Sequence, residues 1–173
     1  MVLKPWQRHA KVVISHTNWI RAMSIPRFLL ISVTLSTMSL TSFAGAIELR
    51  PNDPVYVKMG EKVYLEQCSS CHGVNLEGQE GWRDTMVDGM RLAPPHDKSG
   101  HTWHHPDEML FNLTKYGFKA MINEDYKVSM PVYDGILSDE EIIASLSYIK
   151  STWPEHVIEI HNKINDNYKS KTD

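Results

Sequence analysis

Apolar positions follow a helical rhythm in separate stretches of this chain and lose it between them. Asp53-Pro54 reads as an N-cap with proline at the first helical position, which predicts a helix through VYVKMGEKVYLEQC to Cys68. Pro106-Asp107-Glu108 opens a second helix, MLFNLTKYG, with acidic residues in its first turn and Gly117 as its stop. Ser138-Asp139-Glu140-Glu141 is a capping box, with Leu137 and Ile142 placed as a hydrophobic staple. Ile142, Leu146 and Ile149 then recur at i, i+4 and i+7, and this third helix is expected to end near Trp153-Pro154. A weaker pattern at Val157, Ile160 and Ile164 predicts a C-terminal extension helix before a polar tail, with His156 and His161 on its solvated faces. Residues 73–105, rich in Gly, Pro, Asp and His, read as loop with one short helical turn. No stretch is a convincing strand, so the expected class is all-α: three main helices plus the extension.

Charge divides the chain sharply. Residues 1–46 hold five basic side chains and no Asp or Glu, leaving 13 basic and 21 acidic side chains, a net charge of −8, for the remaining 127 residues. From Phe28 to Leu40 the sequence is apolar, with Arg27 before it and small residues around Ala44 and Ala46 after it. Basic flank, short apolar core and small-residue exit together predict a cleaved export signal over 1–46. A membrane span needs about 20 continuous apolar residues, and this run is shorter and diluted by Ser and Thr. Met23 begins MSIPRFLLIS, which alone has the length of an ordinary signal, so Met23 is the expected translation start. The body, 47–173, has the size of one domain. Its acidity argues against nucleic acid, which needs clustered Lys and Arg.

Two cysteines stand three positions apart, and the histidine after them makes Cys68-Ser69-Ser70-Cys71-His72 a C-x-x-C-H motif. That is the signature of c-type haem attachment: two thiols reach the two vinyl groups of one porphyrin edge, and the histidine falls under the iron. A simple disulfide would suit an exported chain but leaves His72 unexplained. A thioredoxin-like motif would need a βαβ context, which is missing. The opposite face of the iron calls for a second ligand. Met130 is the best placed, because Met130-Pro131 lies in a helix-free stretch between the second and third helices, with the backbone fixed by proline. Met86 and Met90, in the loop before the second helix, are alternatives. Met59, Met109 and Met121 are expected to fill core gaps.

With Cys68, Cys71, His72 and Met130 in this order, residues 53–153 resemble a class I cytochrome c of the bacterial periplasmic type. The resemblance extends to Gly60 and Tyr64 on the first helix and Tyr148 on the last, at positions where the family crosses its terminal helices. The stretch MPVYDGILSDEEIIASLSYIKSTWP is similar to the family's axial-methionine loop and final helix. The long segment 73–105 and the tail after Trp153 depart from it. What the resemblance implies is the class I cytochrome c fold over 47–153 around one covalent haem c, with 154–173 as an extension. It also implies the carbonyl of Pro94 or Pro95 as acceptor for the ring N–H of His72, a contact that fixes the tautomer of a ligating histidine.

Gly100-His101-Thr102-Trp103-His104-His105-Pro106 is the least generic stretch. Trp103 or a histidine could bond a haem propionate, with Arg83 or Arg91 as countercharge. The same imidazoles could instead hold copper or zinc, or simply form a polar loop that starts the next helix. Asn112-Leu113-Thr114 matches a glycosylation sequon, but inside a predicted helix it carries no weight.

His and Met ligation leaves no vacant iron position, which argues against oxygen carriage and oxidase chemistry, and methionine raises the potential. The chain is therefore expected to be a periplasmic one-electron carrier and not itself an enzyme. Its expected partners are redox proteins, whose docking faces would be basic to match the acidic body. The alternatives are a cytochrome subunit of a membrane-associated dehydrogenase or oxidase complex, and a sensor or enzyme in which Met130 does not ligate.

Overall fold

The computed structural model describes residues 47–122 and 127–172; the segment expected to be an export signal, 1–46, lies outside the described residues. Helix α1 spans Pro54–Gln67, and the Asp53 carboxylate accepts from the backbone N–H groups of Val55 and Tyr56, satisfying two of the donors a helix start leaves open. The chain does not leave helical geometry at Cys68. One further turn, α2 (Ser69–His72), carries the motif to Gly73, which ends it. Positions 86–91 contain a two-residue antiparallel pair, β1 (Met86–Val87) with β2 (Met90–Arg91), where no strand was expected. Its cause is local: Asp88-Gly89 turns with φ of 52° and 76°, the mirror-image conformation that joins short hairpins.

After a 3-10 turn at Thr102–His104 come α3 (Asp107–Tyr116), the single turn α4 (Phe118–Met121), α5 (Asp139–Ser151) and α6 (Glu155–Thr172). The capping box of α5 is complete, with Ser138 and Glu141 each bonding the other's backbone N–H. α6 continues through Thr172, so the polar residues 169–172, expected as a tail after the extension helix, belong to that helix. Among the described residues no helix is long and apolar enough to cross a membrane.

The most extensive helix contact joins α1 and α5. Gly60 makes it possible: a methyl group there would collide with the Ala144 carbonyl and the Tyr148 side chain. The missing side chain lets two backbones approach, and Tyr64 then meets Tyr148 with ring centroids 5.5 Å apart. Around this crossing pack Leu110 and Phe111 from α3, Ile142, Leu146 and Ile149 from α5, and Trp153. Each buried aliphatic or aromatic side chain contributes about 1.5–3 kcal/mol of transfer free energy.

α6 closes over this core through polar contacts as well as Val157. His161, expected on a solvated face, is fully buried: its Nε2–H donates to the His105 carbonyl at 2.9 Å and its ring meets Trp153 edge-on at 5.0 Å. In the structure it shares the inward face of α6 with Val157 and Asn165, four positions to either side. Asn165 exchanges two hydrogen bonds with Asp107, receiving the backbone N–H at 2.7 Å and donating to Oδ1 at 3.0 Å. Asp107 also accepts from the Leu49 N–H at 2.9 Å and faces the buried Lys150 ammonium at 3.8 Å. Lys150 in turn donates to Asn162 at 2.9 Å. One carboxylate thus ties together the chain entry, α3, α5 and α6. Met121, expected in the core, is 40 % exposed on the short α4 turn.

Candidate functional site

On a helical turn, positions i, i+3 and i+4 share one face. The turn at Ser69–His72 therefore presents Cys68, Cys71 and His72 together, and all three line one cavity of about 690 Å³, within the usual range of about 300–1,000 Å³ for cofactor sites. Both thiols are unpaired. Burial and the neighbouring Cys71 push the Cys68 thiol up to about 11, so it is a neutral thiol and not a thiolate.

His72 is buried, with its Nδ1 2.8 Å from the Pro94 carbonyl. A carbonyl can only accept, so Nδ1 carries the proton and Nε2 keeps its lone pair for a metal. Desolvation lowers the pKa of His72 and favours the neutral, ligating form. Of the two prolines expected as acceptor, the structure uses Pro94. The Pro95 carbonyl instead lies against Gly100, whose Cα has no room for a side chain there. Pro95 is buried behind the wall and does not line the cavity. The Tyr64 hydroxyl donates to the Gly73 carbonyl at 2.8 Å and fastens the end of the motif to α1.

Met130 lines the same cavity and packs, partly buried, against the core. The strap that carries it is tied at both ends. The Arg91 N–H donates to the Lys127 carbonyl at 3.0 Å. The Tyr133 hydroxyl donates to the Gln67 carbonyl at 2.8 Å, and the Tyr133 and Asp134 N–H groups donate to the Thr114 and Lys115 carbonyls. Burial pushes the Tyr133 phenol up to about 12, so it remains a donor. Met86 and Met90 sit exposed on the hairpin and do not reach the cavity. Leu92, Leu110, Leu113, Leu146 and Ile149 give the cavity apolar walls.

Its polar margin differs from expectation. Arg83 and Arg91 line it, but Trp103 does not: its Nε1–H donates to the Lys98 carbonyl and its ring stacks on His104 at 3.7 Å, while it packs partly buried against the core. Trp82 takes that place, stacked on His101 at 5.4 Å with the Arg83 guanidinium 4.9 Å from its ring. His105 also lines the cavity, and burial lowers the pKa of both His101 and His105. Among the described residues no group of three or more His, Cys, Asp or Glu side chains is arranged to hold a metal ion. His96, absent from the sequence expectations, is part of the wall as well. Its only signal in the sequence is its place directly after Pro94-Pro95.

Comparison with known proteins agrees with this geometry. The family model described as Cytochrome c matches residues 57–153. The chain belongs to the cytochrome c family. Cytochrome c2 iso-2 of Magnetospirillum molischianum is similar to it, 29% identical over 97 residues that cover 49% of this chain and 89% of that protein. No solved structure gives a significant match. Membership makes this cytochrome a haem-binding electron-transfer protein, and its predominantly helical structure is consistent with the class I cytochrome c fold. The residues present fit haem c: two thiols on one turn, an imidazole with Nε2 free, a thioether on the same cavity, and an apolar lining with two arginines. The family range stops at Trp153, so α6 lies beyond the matched part.

Proposed function

We propose that this cytochrome is an exported carrier that moves one electron at a time with a single haem c. In this reading Cys68 and Cys71 hold the haem by thioethers, and His72 and Met130 are its axial ligands. The observation that carries it is the convergence of all four side chains on one cavity, with His72 Nδ1 already committed to Pro94. When bound, the haem supplies reversible one-electron iron chemistry. The polypeptide does the rest. Pro94 keeps His72 in one tautomer and raises its basicity. The doubly tied strap keeps Met130 on the cavity wall, and a thioether ligand favours ferrous iron and a raised potential. The leucine and isoleucine walls exclude water. Arg83 and Arg91 offer countercharge to the propionates, beside Trp82 and His101.

Export to the periplasm is supported by the charge-free apolar stretch near the start of the sequence and by a bacterial cytochrome c2 among the relatives. Redox proteins are the partners this reading requires. α6 folds back on its own domain through His161 and Asn165, which supports a free carrier over a subunit held in a membrane complex.

One experiment tests the reading: visible spectra of the ferric and ferrous protein, matured in a host that attaches haem, with a pyridine haemochrome count. The expected result is one haem c per chain and a weak far-red sulfur-to-iron band in the ferric form. A different haem count, pigment released by acidified acetone, or a missing sulfur band would overturn it.

A further inference from the structure

The cavity wall contains a second imidazole that the reading above does not use. His96 stacks on His72 with ring centroids 3.9 Å apart and planes 27° from parallel. Its own position is secured independently of His72. Nδ1 lies 2.8 Å from Thr102 Oγ1, its backbone N–H donates to the Leu76 carbonyl at 2.8 Å, and its carbonyl accepts from Trp153 Nε1 at 2.8 Å. The Tyr64 ring closes another side edge-on, at 6.2 Å. Trp153 stands between α5 and α6 and touches the buried His161, so this support reaches the extension helix.

We propose that His96 is a positioning residue that holds the plane of the His72 imidazole. The proposal rests on the reading of His72 as axial ligand. The bond from Nδ1 to Pro94 fixes one atom and one direction, but tolerates a swing of the ring plane about that direction. A flat partner pressed against the ring face opposes the swing, because tilting either ring loses stacking contact. An aliphatic side chain would fill the same volume without presenting a plane. Thr102 at Nδ1, the Tyr64 edge and the two backbone bonds act together to keep His96 from turning with its neighbour. Thr102 is buried in the 3-10 turn, which gives the Gly100–Pro106 loop a structural task toward the iron ligand.

In a low-spin ferric haem the orientation of an axial imidazole splits the iron d orbitals, and therefore sets the EPR g-values and the spread of paramagnetic proton shifts among the haem methyls. These are the readouts for the holoprotein of three variants: His96→Leu, which loses the plane; His96→Phe, which keeps a flat ring; and Thr102→Val, which keeps His96 and releases it. The expected result is altered g-values and reordered methyl shifts in His96→Leu, with smaller changes in His96→Phe and Thr102→Val. If all three variants share the parent's g-values and methyl shifts while only their melting temperatures fall, His96 is a core filler and the proposal fails. If His96→Leu does not fold, Thr102→Val against the parent decides in the same way. Failure of the underlying reading shows separately, in a parent protein whose ferric spectrum lacks a nitrogen axial ligand.

Discussion

His161 shows what burial does to a single titratable side chain here. Desolvation and then the Lys150 ammonium push its pKa below the ordinary value of 6.5, against the opposing pull of Asp107. The unfolded chain therefore binds a proton at His161 at a higher pH than the folded one does. Stability from the neutral ring is complete above about pH 6.5 and is lost as pH falls through that value toward the lowered folded pKa. The expected outcome is a urea midpoint of the holoprotein that drops on acidification below about pH 6.5, less steeply in His161→Gln. Parallel curves for the two proteins would contradict this assignment. The motif residues Cys68, Cys71 and His72 were legible in the sequence because their chemistry needs only neighbours in the chain. His96 and Trp82 were not, because the rings they stack on, His72 and His101, lie about 20 positions away in the chain.

At the level of elements, two contacts decide whether the helices assemble. Gly60 lets α1 and α5 touch backbone to backbone, and the obstacle to a side chain there is a helix carbonyl that cannot rotate away. Gly60→Ala is expected to destabilise the protein by about 1–3 kcal/mol or more, read as a lowered denaturant midpoint of the holoprotein. An unchanged midpoint would mean that the helices can separate at no cost. Asp107 is the second contact. Asp107→Ala would leave Lys150, 3 % exposed, without its carboxylate, and would strip partners from Leu49 and Asn165. Loss of one member of a buried ion pair costs about 3–5 kcal/mol, and adding Lys150→Met is expected to recover part of it. The helix starts at Asp53, Pro106 and Ser138 were visible in the sequence, since caps are local devices. The inward turn of α6 was not, because a weak apolar period cannot say that Asn165 and His161 will find Asp107 and His105.

Over the whole molecule, charge governs encounters more than it governs folding. The body carries a net charge of −8 from residue 47 onward. Electron transfer with a basic partner is therefore expected to slow as salt rises, by screening of the long-range attraction. Stopped-flow rates at increasing ionic strength check this, and rates that rise with salt would point to a partner of like charge. The cavity belongs to this scale too. Its walls come from the motif turn, the segment at Pro94, α3, α5 and the Met130 strap, and no single element contains it.

The sequence alone determined the helix starts, the haem motif and the methionine most suited to face it. These follow from caps, periodicity and covalent spacing, which act over one or two turns of chain. Tertiary structure alone decided that Pro94 and not Pro95 orients His72, that Trp82 replaces Trp103 at the cavity margin, and that a second imidazole lies flat against the first. Each of those outcomes depends on which distant backbone arrives within about 3–4 Å, the range over which hydrogen bonds and ring contacts act, and that is set only when the whole core has closed.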